Sequence, residues 1–128
     1  MKRYLTPEEL SFILFVNTGG LHESKSIEIN YGRQSGHTTS IVGMFDKNKD
    51  LILCDCYHMK KHLINLFGSS TYEKSINIVS NFNEKYFWYG RSYRYIFVDN
   101  YSYLLNIDKD LLEHNLKTAK YDFCVKLG

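Results

Sequence analysis

Residues 27–45 read IEINYGRQSGHTTSIVGMF, and this stretch decides what kind of fold the chain adopts. Residues 26–31 (SIEINY) alternate apolar and polar side chains, the period of a strand. Gly32-Arg33-Gln34-Ser35-Gly36 then supplies the glycines of a tight turn. Two threonines follow, and residues 38–46 carry a helical pattern that Gly43 weakens. Strand, glycine-bearing turn and helix in so short a span point to an α/β protein.

The flanks agree. Upstream, TPEELSFILFV (6–16) begins as a helix should: Thr6 as cap, Pro7 at the first helical position, Glu9 completing a capping box. NTGG (17–20) stops it, and the apolar residues on most of its sides suggest packing across a sheet. Downstream, DLILCDC (50–56) fits a buried strand, and Met59, Leu63, Leu66 and Phe67 fall at helical spacing within 57–67. SINIV (75–79) and YRYIFVDN (93–100) are further strands, the second the strongest in the chain. DKDLLEHNLKTAK (108–120) is a helix with Asp108 as its expected cap, and YDFCVKL (121–127) a last strand. The expected fold is a small three-layer α/β domain spanning residues 1–128, with a mostly parallel sheet of about five strands flanked by helices. In such sheets ligands sit beyond the carboxyl ends of the strands, where Gly32–His37 and Asp99–Asn100 both fall.

Composition removes several alternatives. A chain that is 44% hydrophobic is not disordered. A formal charge of +2 is too small to attract a polyanion by bulk charge. The longest apolar run, FILFV (12–16), is too short to span a bilayer, so no membrane partner is expected. Three cysteines without a signal-peptide pattern point to a reducing, cytoplasmic setting.

Residues 27–45 and 93–103 resemble P-loop NTPases, specifically the additional-strand group that includes helicases and viral terminase ATPase domains. Terminase loops often read Arg-Gln-x-Gly-Lys-Thr, and this chain has Arg33-Gln34-Ser35-Gly36-His37-Thr38. YIFVD (95–99) stands where the Walker B strand ends in aspartate. The resemblance implies a P-loop-like domain in which Gly32, Arg33, Gln34, Ser35, Gly36, His37, Thr38 and Thr39 bind ATP or another nucleotide. It also implies that Thr38 and Asp99 hold Mg²⁺. Size and composition suit a bacteriophage accessory protein, in the host cytoplasm.

The chemistry behind that pattern is simple. A glycine lets the backbone approach phosphate, while loop amides and a helix N-terminus offer partial positive charge. Three departures count against catalysis. The first glycine of the usual loop falls on Tyr31, with Gly32 one place late. The lysine is His37, shorter and mostly neutral at pH 7 with a pKa near ~6.5. The glutamate that activates water after the Walker B aspartate is Asn100, whose amide cannot accept a proton. Nucleotide or phosphate binding with slow hydrolysis at most is the expectation. The plainer alternative makes GRQSGHTT an ordinary strand-to-helix turn, with Ser35 or Thr38 capping the helix.

Two other clusters stand out. CDCYH (54–58) with His62 has zinc-ligand residue types, but Cys54 and Cys56 lie in a run that looks buried, which favours core packing. Nothing local activates Cys54, Cys56 or Cys124 as a nucleophile. YFWYGRSYRY (86–95) mixes aromatics with arginine, so Trp88, Arg91 and Arg94 are candidates for contact with a host or viral protein. Nucleic acid is the weaker partner for it, and a hairpin-like segment packed on the core is the plainer one. The second functional class is therefore a P-loop-like scaffold used as an interaction module.

Overall fold

A computed structural model describes residues 4–18, 25–32, 35–82 and 91–128. Five helices and five strands alternate in it: α1 Pro7–Thr18, β1 Ser26–Ile29, α2 His37–Met44, β2 Leu51–Cys54 and α3 Tyr57–Phe67 lead. β3 Ile76–Ile78, α4 Val79–Phe82, β4 Ser92–Asp99, α5 Asn106–Leu116 and β5 Lys120–Leu127 complete the order. The strands form one sheet in the order β1-β5-β4-β2-β3, and every pairing is parallel. The α/β class, with a five-stranded parallel sheet between helices, is as expected. No helix among the described residues is long and apolar enough to cross a membrane.

A parallel sheet buries both faces, so its strands are apolar on both. Phe97, Ile52, Cys54, Phe123 and Val125 face one core, which Leu10 and Leu14 of α1, Ile41 of α2 and Leu63 of α3 complete. Ile96, Val98, Leu51, Leu53 and Cys124 face the other, under Leu112 and Leu116 of α5. α1 meets the sheet with one side only: Phe12 and Phe15 stay 66% and 75% exposed. Its partner is α2, where Pro7 packs so closely that a Cβ on Gly43 would come within 2.6 Å of the proline ring. Gly43 is thus a helix–helix contact, which explains a residue of poor helix propensity there.

Helix termini differ in part from expectation. Thr6 does cap α1, its Oγ1 accepting from the Glu9 N–H at 3.1 Å. Asp108 does not cap α5: the N-cap is Leu105, and Asp108 sits in the first turn, where its charge meets the helix dipole. Residues 118 and 119 donate back to Asn115 O and end the helix early, freeing Lys120 to begin β5.

Arg94 has a structural partner. Its Nε and Nη2 donate to Asp50 at 3.0 and 2.7 Å, and Asp50 also accepts from the Tyr95 and Asp46 amides. This fork joins the start of β2 to β4 and neutralises an aspartate that is 2% exposed. Arg91 is exposed, and Trp88 lies outside the described residues. Removing one partner of a buried ion pair strands the other charge, a cost of ~3–5 kcal/mol that partial exposure of the arginine reduces. Urea unfolding of Arg94→Ala should show a loss of roughly 2 kcal/mol; a loss below about 0.5 kcal/mol, the usual range of a surface substitution, would return Arg94 to the surface role.

Candidate functional site

Because all strands run the same way, their carboxyl ends share one rim. The register aligns Ile29, Leu127 and Asp99 in a row across β1, β5 and β4. The residues just beyond the strands, Asn30, Asp55, Asn100 and Gly128, all line a single cleft of about 740 Å³. Gly32, Ser35, Gly36, His37, Thr38 and Thr39 form its loop side, and Ser102 and Tyr103 its far side. Expected loop residues therefore converge on one hollow; Arg33 and Gln34 lie outside the described residues.

The loop is held from within. Asn30 Oδ1 accepts from the Gly32 amide at 3.0 Å, and Ser35 Oγ donates to Tyr31 O at 2.8 Å. Gly36 has φ 80°, and a Cβ there would lie 2.5 Å from the Leu5 carbonyl oxygen. The glycine is thus required by its left-handed backbone and by the segment before α1, whose Leu5 amide donates to Ser35 O at 2.7 Å. Close approach to phosphate is not needed to explain it.

α2 begins at His37 with Gly36 as N-cap and no side-chain cap. The expectation that Ser35 or Thr38 caps it fails for a clear reason. The Ser35 hydroxyl is bound to Tyr31 O, and Thr38 Oγ1 donates to Asp99 Oδ2 at 3.0 Å. The first turn of α2 is therefore left facing the cleft with its partial positive charge.

With the Thr38 proton turned to Asp99, the oxygen lone pairs of Thr38 face away from that carboxylate. Asp99 itself is 1% exposed, beneath the cleft and not on its wall. Burial raises its pKa, the Thr38 hydroxyl and Asn100 amide oppose the shift, and Asp55 pushes it further up. Among the described residues Asp55 is the carboxylate on the wall, and its Oδ1 is a buried oxygen without a hydrogen-bond partner there. Hard oxygen donors of this kind suit Mg²⁺. Asp55 escaped the sequence reading, although LILCD ends an apolar strand in an acid just as YIFVD does.

His37 is not poised as a lysine would be. It is 8% exposed, burial lowers its pKa, and its Nε2 accepts from the Tyr31 amide at 3.1 Å. The remaining clusters carry less. Cys54 is buried with its thiol pushed up to about 12, so it is not a thiolate at neutral pH, while Cys56, His58 and His62 are exposed. Arg91 and Arg94 lie near the amino end of β4, far along the strand from Asp99.

No protein-family model matches this sequence, and no curated protein matches it significantly.

His37 and Asp99 act on stability with opposite signs. His37, depressed in the fold, contributes stability that is present above about pH 6.5 and lost as pH falls through its folded value. Asp99, raised in the fold, contributes stability below about pH 3.9 that is lost as pH rises through its folded value. At neutral pH its buried charge is a net cost. Asp99→Asn should therefore melt at the same or a higher temperature than wild type at pH 7.5, with the difference shrinking toward pH 4. A clear fall in melting temperature at pH 7.5 would show that the two hydrogen bonds outweigh burial.

Proposed function

We propose that this cleft binds a nucleotide or another phosphate-bearing ligand together with Mg²⁺, with little or no hydrolysis. The observation that carries it is the Thr38–Asp99 hydrogen bond beneath the uncapped start of α2. A hydroxyl oriented by a buried carboxylate, beside helix amides, is the arrangement that a metal–phosphate ligand requires. The sheet order adds support: β5 is inserted between β1 and β4, in keeping with the additional-strand P-loop NTPases that residues 27–45 and 93–103 resemble.

Thr38 and Asp55 would hold the ion, with Asp99 behind Thr38; when bound, Mg²⁺ supplies the positive charge that phosphate oxygens need. The chain's own groups explain slow turnover. Asn100 is held at φ 55° with its amide N–H donating to Asp99 Oδ1, and its side chain cannot take a proton from water. The lone pair of His37 is occupied by the Tyr31 amide. The alternative, an interaction module for a host or viral macromolecule, loses Arg94 to its ion pair with Asp50.

Ligand that binds only the folded state stabilises it by RT ln(1 + [L]/Kd), about 2.7 kcal/mol at a hundredfold excess over Kd. For a chain this size that is on the order of 10 °C in Tm. Melting with Mg-ADP, Mg-ATP and Mg-GTP should show such a rise for at least one nucleotide, reduced in Asp55→Asn and lost in Thr38→Val. No rise with any of them, or a rise unchanged in Thr38→Val, would contradict the proposal.

A further inference from the structure

A second depression, of about 610 Å³, lies along the rim where the parallel strands begin. Its lysines come from three segments far apart in sequence: Lys25 before β1, Lys49 before β2 and Lys120 at the head of β5. The sheet order brings them together. Only β5 and β4 stand between β1 and β2, and Lys120 is in register with Ser92 of β4. Lys49 is tied to β4 through its carbonyl, which accepts from the Arg94 amide at 2.7 Å. The Lys25 ammonium reaches to the start of β5, donating to Tyr121 O at 3.2 Å and lying 5.0 Å from the centre of the Tyr121 ring. That bond uses one of its three donors.

All three lysines are exposed. Arg94 also lines the depression but is matched by Asp50, and Asp122 offsets one lysine, so the described lining keeps an excess of two positive charges. The formal charge of the whole chain is also +2, so its remaining charges balance. A chain with little net charge thus presents a local positive field.

Length and spacing say which anion fits. Three intervals between neighbouring strands make the row from β1 to β2 about 14 Å long. An extended peptide rises ~3.4 Å per residue and turns alternate side chains to one face, so carboxylates at i, i+2 and i+4 span about 14 Å as well. Nucleic acid fits less well. Duplex binding by charge draws on the order of 6–10 phosphate contacts, and three lysines fall short. Single strands gain from bases stacked on aromatic rings, whereas Tyr121 packs against the α5 core with Lys25 over its ring.

We propose that this rim docks an extended acidic segment of a partner protein, its alternate carboxylates meeting Lys25, Lys120 and Lys49. The rim lies at the opposite end of β4 from Asp99, so this docking does not depend on the nucleotide cleft.

A ¹⁵N–¹H titration of the wild-type chain with two blocked pentapeptides and a thymidine tetranucleotide tests this. Glu-Ser-Glu-Ser-Glu carries its carboxylates at alternate positions, Glu-Glu-Glu-Ser-Ser carries them in one run, and the tetranucleotide carries three phosphates. The alternating peptide should shift the amide signals of Lys25, Lys49, Ser92 and Lys120 and leave those of Gly36–Thr39 in place. It should bind roughly threefold tighter than its isomer, and more weakly as salt rises. Joint Lys49→Glu and Lys120→Glu substitution should abolish the shifts at Lys25 and Ser92, while Asp122→Asn should tighten binding about twofold. Equal binding of the two peptides, shifts spread evenly over exposed lysines such as Lys61 and Lys74, or no shift at the rim overturns the proposal. Tighter binding of the tetranucleotide overturns it in favour of nucleic acid. The wild-type titrations need no variant, so a charge-reversed chain that fails to fold leaves the test intact.

Discussion

The hydrogen bond from Thr38 to Asp99 depends on strand direction. Thr38 begins a helix that follows β1, and Asp99 ends β4, two strands separated by β5. They meet because parallel pairing puts Ile29, Leu127 and Asp99 in one row, so each chain segment leaves the sheet at the same rim. An antiparallel β5 would reverse nothing in the apolar pattern of its residues, yet it would carry Gly128 to the opposite rim and open the wall of the cleft. The helices enforce the arrangement: α2 covers one face and α5 the other, so the rim between them stays open.

The site that results is costly to maintain. Asp99 is an acid held out of water, His37 a base held away from protons, and Asp55 keeps an oxygen without a partner among the described residues. At neutral pH the buried acid Asp99 and the unmet oxygen of Asp55 lower the stability of the folded chain relative to apolar replacements, whereas the neutral ring of His37 loses its contribution only as pH falls. Buried polar groups persist where the surrounding structure over-determines them, and unmet ones concentrate where a ligand completes them. At the other end of β4 the opposite holds: Asp50 is just as buried but has four donors, two from Arg94 and two from backbone amides. The contrast between a satisfied acid at one rim and an incompletely satisfied pair at the other supports the proposal that the Asp99 rim is where a ligand binds.

Much of this was legible in the sequence because it is local. Alternation marked β1, the apolar runs marked β2 and β4, and Thr6-Pro7-Glu9 marked the start of α1. Gly36, Thr38 and Asp99 were legible as a set because loop and strand end carry their own patterns. What escaped depends on contacts between distant segments. Arg94 and Asp50 are 44 positions apart, so the arginine looked like a surface group. Asp55 went unnoticed because the order of strands, which sets β2 beside β4, is not written in either strand. Gly36 looked like a phosphate glycine, while the Leu5 carbonyl that requires it arrives from before α1. The state of His37 depends on a backbone amide that reaches it only after the loop closes.

The proposal is spatial: a metal–phosphate ligand would sit where Thr38, Asp55 and the start of α2 converge, with Asp99 beneath. Paramagnetic broadening by Mn²⁺-ADP in the ¹⁵N–¹H spectrum reads that location directly. Amide signals of Gly36–Thr39, Asp55 and Asn100 should broaden first, while those of Lys49, Arg94 and Lys120 at the far rim remain sharp. Broadening centred on the far rim, or spread evenly over exposed carboxylates, would contradict the account.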